Sequence, residues 1–309
     1  MSARYNIHVN TNLPLRYGPH VASALAAQRP IVALESTVIT HGLPAPDNTN
    51  LAFNLERIIT EAGATPATIG VLNGEIVVGL THDEIMELAS ADADKVSLWN
   101  LAAILASGTP AGTTVATTLY AAHVAGINVF ATGGIGGVHD DAFDESADLP
   151  ALARFPVLTV CAGPKSILDQ AATMERLETL GVPVVGYRSD TLAGFIVQHT
   201  DIKLPSRAES AAELAKMLAY QEHLQLSAGI VVSNPVSEGL AQSEFAELIA
   251  AAKHAAHERG IHGRAVTPFL LAHLTELSNG RTKAVNLRLL EENSRLAAEI
   301  AVAYQRNRS

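Results

Sequence analysis

Short apolar runs alternate with longer amphipathic stretches along almost the whole 309-residue chain. This alternation constrains the fold most strongly, because apolar runs bounded by turns form buried strands, and the stretches between them form helices that cover a sheet. The chain is therefore predicted to have a layered α/β fold. The predicted strands are residues 31–38, 68–72, 75–80, 128–132, 157–162, 182–187 and 229–233.

Local signals add detail to this architecture. Asn73-Gly74 lies between two predicted strands and is a favoured hairpin turn, so we expect a mixed central sheet rather than a purely parallel one. Thr81 and Glu84 form a capping-box pattern at the start of a helix. Apolar residues on one face of 284–304 predict a long terminal helix. Because no linker-like tract or repeat interrupts the chain, we expect a single domain over residues 1–309.

Charge and composition exclude several classes of partner. The chain has 21 Lys and Arg against 31 Asp and Glu, so its formal net charge of −10 makes it a poor binder of nucleic-acid backbones. No apolar run is long enough to span a membrane, and the N-terminus is too polar for a signal peptide. Cys161 is the single cysteine and cannot form an internal disulfide. We therefore predict a cytoplasmic enzyme with neither a nucleic-acid nor a membrane partner.

Lys165 ends the apolar run 155–165 and opens a helical pattern. The junction of a strand with the following helix lies at the usual ligand-binding edge of an open α/β sheet. Burial there would lower the pKa of the lysine amine and free it to attack a carbonyl carbon as a Schiff-base nucleophile. The alternative is an ordinary solvated lysine on the surface.

Two other charged side chains stand near predicted strands. Glu35 interrupts an apolar strand, where an unpaired carboxylate would be costly. A raised pKa would suit it to general acid or base catalysis, whereas the alternative is a structural hydrogen bond at the end of the strand. Lys95 could bind an anion or could be a surface lysine at the start of a strand.

Two loop segments could bind a ligand. Residues 112–118 place hydroxyls and backbone amides at a predicted helix N-terminus, which would suit a phosphate or a sugar. The glycine-rich segment 131–139 follows a strand, but it is not a dinucleotide fingerprint because His139 stands where the last glycine belongs. Its glycines could let the backbone approach a ligand closely or could form a plain tight turn.

An acidic segment follows these glycines. Residues 140–148 hold five carboxylates in nine positions, and hard divalent cations favour such oxygen ligands. The alternative is a solvated acidic loop that ends in a helix cap. The metal-ligand spacing of a zinc site and the GxSxG motif of a serine hydrolase are both missing from the sequence.

In combination, these segments resemble the pseudouridine-5′-phosphate glycosidase family. Single motifs are weak, but their ordered combination is specific and covers nearly the whole chain. The motifs that carry the resemblance are Glu35-Ser36-Thr37 through His41-Gly42 to Asn48, the segment 130–139, Phe143-Asp144 with Ser146-Ala147-Asp148-Leu149, Cys161-Ala162-Gly163 with Lys165-Ser166-Ile167-Leu168-Asp169, the segment 182–187, Asn234-Pro235, the segment 267–271, and Asn286.

The resemblance implies an α/β/α fold, usually assembled as a homotrimer, with Mn²⁺ as the metal. It implies reversible cleavage of the C–C glycosidic bond of pseudouridine 5′-phosphate, which gives uracil and ribose 5-phosphate. Carried over by position, Glu35 is the proton donor, Lys165 the covalent nucleophile and Asp144 the metal ligand, with other divalent ions as possible substitutes for manganese. The implied substrate-binding residues are Lys95, Val115, Ser146, Ala147, Asp148 and Asn286.

The implied reaction accounts for these residue types. A C–C glycosidic bond has no heteroatom leaving group that one proton transfer could release. Opening of the ribose ring exposes C1 to capture by the amine of Lys165, and the resulting imine-type adduct acts as an electron sink. Glu35 would then move protons during ring opening and the departure of uracil.

Two departures from the family pattern bear on the substrate. The family usually has Arg-Arg-Asp where this chain has Leu98-Trp99-Asn100, and Arg-Gly where it has Asp140-Asp141. Guanidinium groups bind phosphate well, so the missing arginines matter if these positions line the phosphate pocket. In that case a C-glycosidase or C-glycosynthase acting on a non-phosphorylated or different C-nucleoside is the alternative. If the positions lie on the surface, the usual substrate stands.

Two alternatives come from other functional classes. An aldolase-like Schiff-base lyase acting on another sugar phosphate would share the lysine and the carboxylate. A non-catalytic nucleotide-binding module would keep the glycine loop, but it would not need Lys165, Glu35 and Asp144 together.

Overall fold

The structure describes residues 13–139, 144–261 and 266–308, except for the side chains of residues 267 and 268. One sheet of eleven strands runs through this part of the chain. The structure is a computed structural model. Its strands are β1 (Leu15–Tyr17), β2 (Ile31–Leu34), β3 (Thr65–Leu72), β4 (Glu75–Val78), β5 (Asp94–Val96), β6 (Ala111–Thr113), β7 (Val129–Ala131), β8 (Leu158–Cys161), β9 (Val184–Tyr187), β10 (Ser206–Ala208) and β11 (Ile230–Ser233).

The sheet is mostly parallel, in the order β1-β4-β3-β2-β7-β8-β11-β9-β10, while β6 pairs with β3 and β5. Antiparallel pairing occurs between β3 and β4 and between β3 and β6. The neighbours β2, β7, β8 and β11 are parallel, so their carboxyl ends meet at one edge. The prediction of a mixed central sheet is confirmed.

Helices cover both faces of this sheet. They are α1 (Pro19–Ala26), α2 (Asp47–Glu61), α3 (His82–Ser90), α4 (Leu101–Ser107), α5 (Val115–Val124), α6 (Asp148–Arg154), α7 (Gln170–Thr179), α8 (Ala211–His223), α9 (Gln242–Glu258), α10 (Val266–Leu277) and α11 (Arg281–Arg308). Within the described ranges, no helix combines the length and apolar character needed to cross a membrane.

Strand β2 shows how the layers arise. Val32 and Leu34 pack into one apolar cluster, whereas Ile31 and Ala33 pack into a second one, because alternate side chains of a strand point to opposite faces. The first cluster contains residues of α2, α8, α9, α10 and α11, and the second contains residues of α1, α4, α5, α6 and α7. The predicted α/β/α layering is confirmed.

All seven predicted strands are present, and the largest error in their bounds concerns the first one. The strand predicted for residues 31–38 ends at Leu34, and Val38–Gly42 forms a π-helical turn. The β-branched residues after Ser36 favour a strand, but tertiary contacts decide otherwise. The Ser36 hydroxyl donates to the Ile69 carbonyl (2.6 Å), and the Ser36 carbonyl accepts the amides of Ile39 and Thr40.

Four strands were missed by the sequence analysis: β1, β5, β6 and β10. Each has three residues, which is too short for an apolar alternation to stand out. Their hydrogen-bonding partners are distant in sequence, as when β6 joins β5 to β3. Only the assembled sheet therefore makes them strands.

Local turn and cap signals were more reliable. Asn73 and Gly74 have φ values of 53° and 78°, as a two-residue hairpin turn requires. Thr81 caps α3 with the full capping box. The predicted terminal helix is α11, which is longer than expected at both ends.

The crevice between β2 and β7 is the topological switch point that matters for function. The helix after β2 is α2, which packs on one face of the sheet, while the helix after β7 is α6, which packs on the other. Two parallel neighbours whose connections leave on opposite faces open a crevice at their carboxyl ends, where ligands bind in α/β folds.

The capping box of α3 supports a first prediction. Thr81→Ala removes the acceptor for the Glu84 amide, and we expect the free energy of unfolding to fall by about 1 kcal/mol in a urea titration. Ser90→Ala at the other end of α3 is the matched control. Its hydroxyl only contacts carbonyls of its own helix, so it should change stability by less than about 0.5 kcal/mol. Equal losses in both variants would contradict the capping role.

Candidate active site

A polar cavity of about 220 Å³ lies at the carboxyl edge of the strands, beside the crevice between β2 and β7. This is slightly below the ~300–1,000 Å³ typical of drug-sized ligand sites, so the cavity suits a small ligand. Its lining residues are Glu35, Thr37, Lys95, Ser97, Trp99, Thr114, Val115, Gly136, His139, Ser146, Ala147, Asp148, Lys165, Ile167 and Leu168.

Glu35 follows β2 directly and carries its carboxyl group into the crevice. One carboxylate oxygen accepts a hydrogen bond from the hydroxyl of Thr132, which follows β7. Burial raises the pKa of the Glu35 carboxyl, while the positive charge of Lys165 and the Thr132 hydrogen bond act in the opposite direction. The proton affinity of Glu35 is thus raised by burial and lowered in part by these two neighbours.

Lys165 reaches the same cavity from the loop after β8. Its amide donates to the Ile135 carbonyl (3.0 Å), so this loop is held against the loop after β7. Gly163 has φ +84°, a conformation that side chains rarely adopt, and this lets the chain turn towards the cavity. A helix was predicted directly after Lys165, but α7 begins only at Gln170.

Asp148 forms the frame of the cavity. Its two carboxylate oxygens accept the backbone amides of Ala116 (3.0 Å) and Gly136 (2.8 Å). The carboxylate therefore joins the first turns of α5 and α6 to the glycine loop, and its charge is favourable near helix N-termini. A Cβ at Gly136 would lie 2.1 Å from the Ser146 hydroxyl oxygen and 2.8 Å from an Asp148 carboxylate oxygen, so only glycine fits there. The glycine loop and the Asp148 carboxylate together form this side of the cavity.

Lys95 adds a second amine from β5. Partial burial lowers the pKa of the Lys95 amine, and the positive charge of Lys165 lowers it further, whereas the carboxylates of Glu35 and Asp148 raise it. The cavity thus holds two cationic side chains beside two carboxylates. Such a site can bind an anionic ligand and still hold a proton-transferring acid.

Seven of the nine site residues expected from the sequence line this one cavity. They are Glu35, Lys95, Val115, Ser146, Ala147, Asp148 and Lys165. Asn286 and Asp144 are not among the lining residues. Asn286 is a partly buried residue of α11, and the side chain of Asp144 is exposed to solvent.

The manganese site expected at Asp144 is only partly covered by the described residues, because Asp140 and Asp141 lie outside them. Within residues 13–139, 144–261 and 266–308, no group of three or more His, Cys, Asp or Glu side chains is arranged to hold a metal ion. Glu145 forms an ion pair with Arg176 (2.9 Å), and both carboxylate oxygens of Asp148 accept backbone amides. Glu145 and Asp148 are thus engaged with other partners, and no catalytic step is assigned to a metal. Manganese at Asp144 stays a prediction.

The unusual segment Leu98-Trp99-Asn100 divides between core and cavity. Leu98 packs against the apolar core, and the Asn100 side chain accepts the Ser97 amide (2.8 Å) and donates to the Lys95 carbonyl (3.1 Å). Trp99 is 82% exposed and lines the cavity, so it forms part of the rim. Asp140 and Asp141 lie outside the described residues.

Sequence reasoning missed Thr132 as a partner of Glu35. The available signal was its position directly after a predicted strand, at the edge where Glu35 and Lys165 were expected. Thr114 was better predicted, since the hydroxyl-rich segment was expected at a helix N-terminus and Thr114 is the N-cap of α5. His139 was noted only as the residue that breaks a glycine motif, yet it lines the cavity.

Comparison with known proteins identifies the family of this chain. A family model described as indigoidine synthase A like protein matches residues 20–303. The chain belongs to this family. A protein of Thermus thermophilus named pseudouridine-5′-phosphate glycosidase is 52% identical over 276 residues, which covers 89% of this chain and 98% of the relative. A Salinispora tropica protein of the same name is 48% identical over 95% of this chain and 93% of its own length. These matches confirm the resemblance seen in the motifs.

Two solved structures share the fold. An indigoidine synthase A-like protein from Thermotoga maritima has a TM-score of 0.86 and 35% identity, and the alignment covers 95% of this chain and 97% of that one. The prealnumycin C-glycosynthase AlnA, solved in complex with ribulose 5-phosphate, has a TM-score of 0.89 and 36% identity over 96% of this chain and 98% of its own.

The buried acid makes a prediction about stability. Since the pKa of folded Glu35 lies above its ordinary value of 4.5, the folded state binds more protons there, and stability falls as pH rises from 4.5 through the folded pKa. Glu35→Gln removes this penalty, so we expect its melting temperature at neutral pH to exceed that of the wild type by about 2 °C or more. The gain should shrink below pH 4.5, where both states are protonated.

Glu56→Gln is the matched control for this variant. Glu56 is also a buried acid with a raised pKa and a threonine donor, Thr68, but it lies outside the cavity. It should give a comparable gain in melting temperature. A Glu35→Gln protein that is less stable than the wild type at neutral pH would contradict the raised pKa.

Proposed function

We propose that the chain catalyses the reversible cleavage of pseudouridine 5′-phosphate to uracil and ribose 5-phosphate. The observation that carries this proposal is that Glu35 and Lys165, which stand far apart in sequence, line one cavity with Lys95 and Asp148. Relatives that are about half identical over most of the chain bear the name of this activity. A structural neighbour binds a pentulose phosphate, which is the class of ligand that the cavity would hold.

In the proposed mechanism the uncharged form of the Lys165 amine attacks C1 of the ribose. The C1–N bond forms as the bond from C1 to the ring oxygen breaks; the ring oxygen takes a proton, and the nitrogen loses one and regains a lone pair. This lone pair forms a C=N bond to C1 as the bond from C1 to uracil C5 breaks, and the electron pair of that bond is taken up by protonation of uracil at C5. Water hydrolyses the imine to ribose 5-phosphate and restores the amine.

Glu35 is the proposed proton donor for these steps. Burial keeps a fraction of its carboxyl protonated at higher pH than an exposed glutamate, so it can supply a proton to the ring oxygen. The Thr132 hydroxyl holds the carboxylate oxygen that remains after the proton has left. Lys95 supplies positive charge to an anionic substrate, while the Asp148 carboxylate keeps the surrounding loops in place.

The finer expectations stay proposals. We propose a cytoplasmic homotrimer, and a mass measured by light scattering during gel filtration would test the trimer. The buried free thiol of Cys161, whose pKa burial raises to about 12, agrees with a chain that needs no disulfide.

The alternatives are less well supported. An aldolase-like lyase or an enzyme for a non-phosphorylated C-nucleoside would also use a lysine and a carboxylate. The names of the relatives do not favour either alternative. Trp99 on the rim stands where the family usually has arginine. The requirement for the 5′-phosphate of the substrate is therefore tested directly below.

The activity itself is a direct prediction. Purified protein incubated with pseudouridine 5′-phosphate should release uracil, seen by chromatography with ultraviolet detection, and should release much less from unphosphorylated pseudouridine. Parallel samples with added Mn²⁺ and with a chelator measure the need for a metal. Faster release from the free nucleoside would contradict the phosphate assignment, and no release from either would contradict the proposed function.

The covalent step is tested at Lys165. Borohydride added during turnover should reduce the imine and leave a pentose phosphate on Lys165, detected by peptide mass spectrometry. Lys165→Ala should lose both the adduct and at least about 10³-fold in kcat. Lys203→Ala, at an exposed lysine outside the cavity, should keep both. Trapping at another lysine would rule out Lys165 as the nucleophile.

A further inference from the structure

Two buried asparagines stand behind the cavity and take no part in the mechanism described so far. Asn293 of α11 is fully buried, and Asn234, the residue after β11, is 8% exposed. The Asn234 side-chain amide donates to the side-chain oxygen Oδ1 of Asn293 (3.0 Å). The Asn293 amide in turn donates to the backbone carbonyl of Thr132 (2.8 Å).

This chain of hydrogen bonds ends at the candidate proton donor. Thr132 receives the Asn293 amide on its carbonyl and donates its own hydroxyl to the Glu35 carboxylate. The path therefore connects the carboxyl ends of β11, β7 and β2 through one residue of α11. Thr132, Asn234 and Asn293 are buried, so each loses a hydrogen bond that water cannot replace if its partner is removed.

We propose that Asn293, held by Asn234, is a positioning residue for Glu35: it fixes the backbone at Thr132 so that the Thr132 hydroxyl points at the Glu35 carboxylate. The proposal rests on the proposed function in so far as Glu35 is the group that transfers protons. It adds two residues that the family resemblance does not assign to the reaction.

The backbone at this point is held both by the sheet and by α11. Thr132 and Gly133 leave β7, and the Thr132 amide still donates to the Val160 carbonyl of β8 (3.0 Å), while Asn293 binds the Thr132 carbonyl from the other side. Helix α11 lies so close to this turn that a Cβ on Gly133 would stand 3.2 Å from Leu289 and 3.3 Å from Leu290. Asn293 lies one turn further along α11 and supplies the polar contact in this otherwise apolar contact area.

Anchoring of α11 does not by itself explain Asn293. The Asn54 amide on α2 donates to Glu291 (2.6 Å), and the Lys283 amine binds Asp47 (2.5 Å). Apolar residues on α11 pack into the core along most of its length. The helix is thus held elsewhere, whereas the Asn293 amide is directed at the residue that contacts Glu35.

The predicted consequence of losing Asn293 follows from the Thr132 contact. The Thr132 hydrogen bond favours the charged form of Glu35 and lowers its pKa, in opposition to burial. If the Thr132 backbone is released, this hydrogen bond weakens and the pKa of Glu35 rises further. Substrate binding by Lys95 and the other lining residues stays as it is, so the effect falls on kcat rather than on KM.

The experiment compares Asn293→Ala with Asn54→Ala, which removes a different tether of the same helix. We expect Asn293→Ala to lower kcat for uracil release by about 10- to 100-fold, as small misplacements of catalytic groups do, with KM changed less than about threefold. The infrared band of the Glu35 carboxyl, identified by its loss in Glu35→Gln, should titrate at higher pH than in the wild type. Asn54→Ala should lower the melting temperature and leave both kcat and the titration unchanged.

The outcomes separate this proposal from the proposed function. A normal kcat and titration in a destabilised Asn293→Ala protein would overturn positioning and leave a structural role. A lowered kcat with an unchanged Glu35 titration would also overturn it, because the effect would not pass through Glu35. If the wild type releases no uracil, the proposed function fails while the infrared comparison still tests the coupling.

A second variant, Asn234→Ala, tests the same proposal if Asn293→Ala does not fold. Asn234→Ala leaves the Asn293 hydrogen bond to Thr132 possible but removes the group that orients the Asn293 amide. We expect the same direction of change in kcat and in the Glu35 titration, and wild-type values for both would overturn the proposal.

Discussion

The cavity depends on the burial of one carboxyl group, that of Glu35. A buried carboxylate costs several kcal/mol unless partners compensate for the lost water. Here the Thr132 hydroxyl donates to it, and the positive charge of Lys165 acts on it from the loop after β8. Because each partner comes from a different strand, the carboxyl can be held only when β2, β7 and β8 lie side by side. The position of the Glu35 carboxyl therefore depends on the order of the strands in the sheet.

A second carboxylate, that of Asp148, holds the segments around the cavity together and is not assigned a proton transfer. Asp148 uses both oxygens on backbone amides, one from α5 and one from the glycine loop, so it is fixed and fully engaged. Two carboxyl groups in one cavity thus have different tasks because their surroundings differ. Glu35 keeps its proton to higher pH than an exposed glutamate because burial raises its pKa, while Asp148 connects segments that the sheet alone would leave apart.

Particular residues show how far sequence reasoning reached. The hairpin at Asn73-Gly74 and the capping box at Thr81 were predicted because the residues themselves prefer those conformations. The strand at 31–38 was predicted too long, because the chain turns after Leu34 and the hydroxyls of Ser36 and Thr37 donate to backbone carbonyls of β3 and β6. Glu35 was found as a charge that interrupts an apolar run, and Lys165 as a charge that ends one. Thr132 and Asn293 carry no such signal, since a threonine after a strand and an asparagine in a helix are ordinary.

The sequence by itself determined the α/β class, most strand and helix positions, the family, and a candidate acid and amine. These follow from periodicity, turn chemistry and motif order, which are properties of neighbouring residues. Only the tertiary structure decided that Glu35, Lys95, Asp148 and Lys165 share one cavity, and that Asp144 and Asn286 are not among its lining residues. It also decided that Asn293 reaches the backbone beside Glu35. Such contacts join residues far apart in the chain, 161 positions in the case of Thr132 and Asn293, and they exist only after packing has brought the strand ends together.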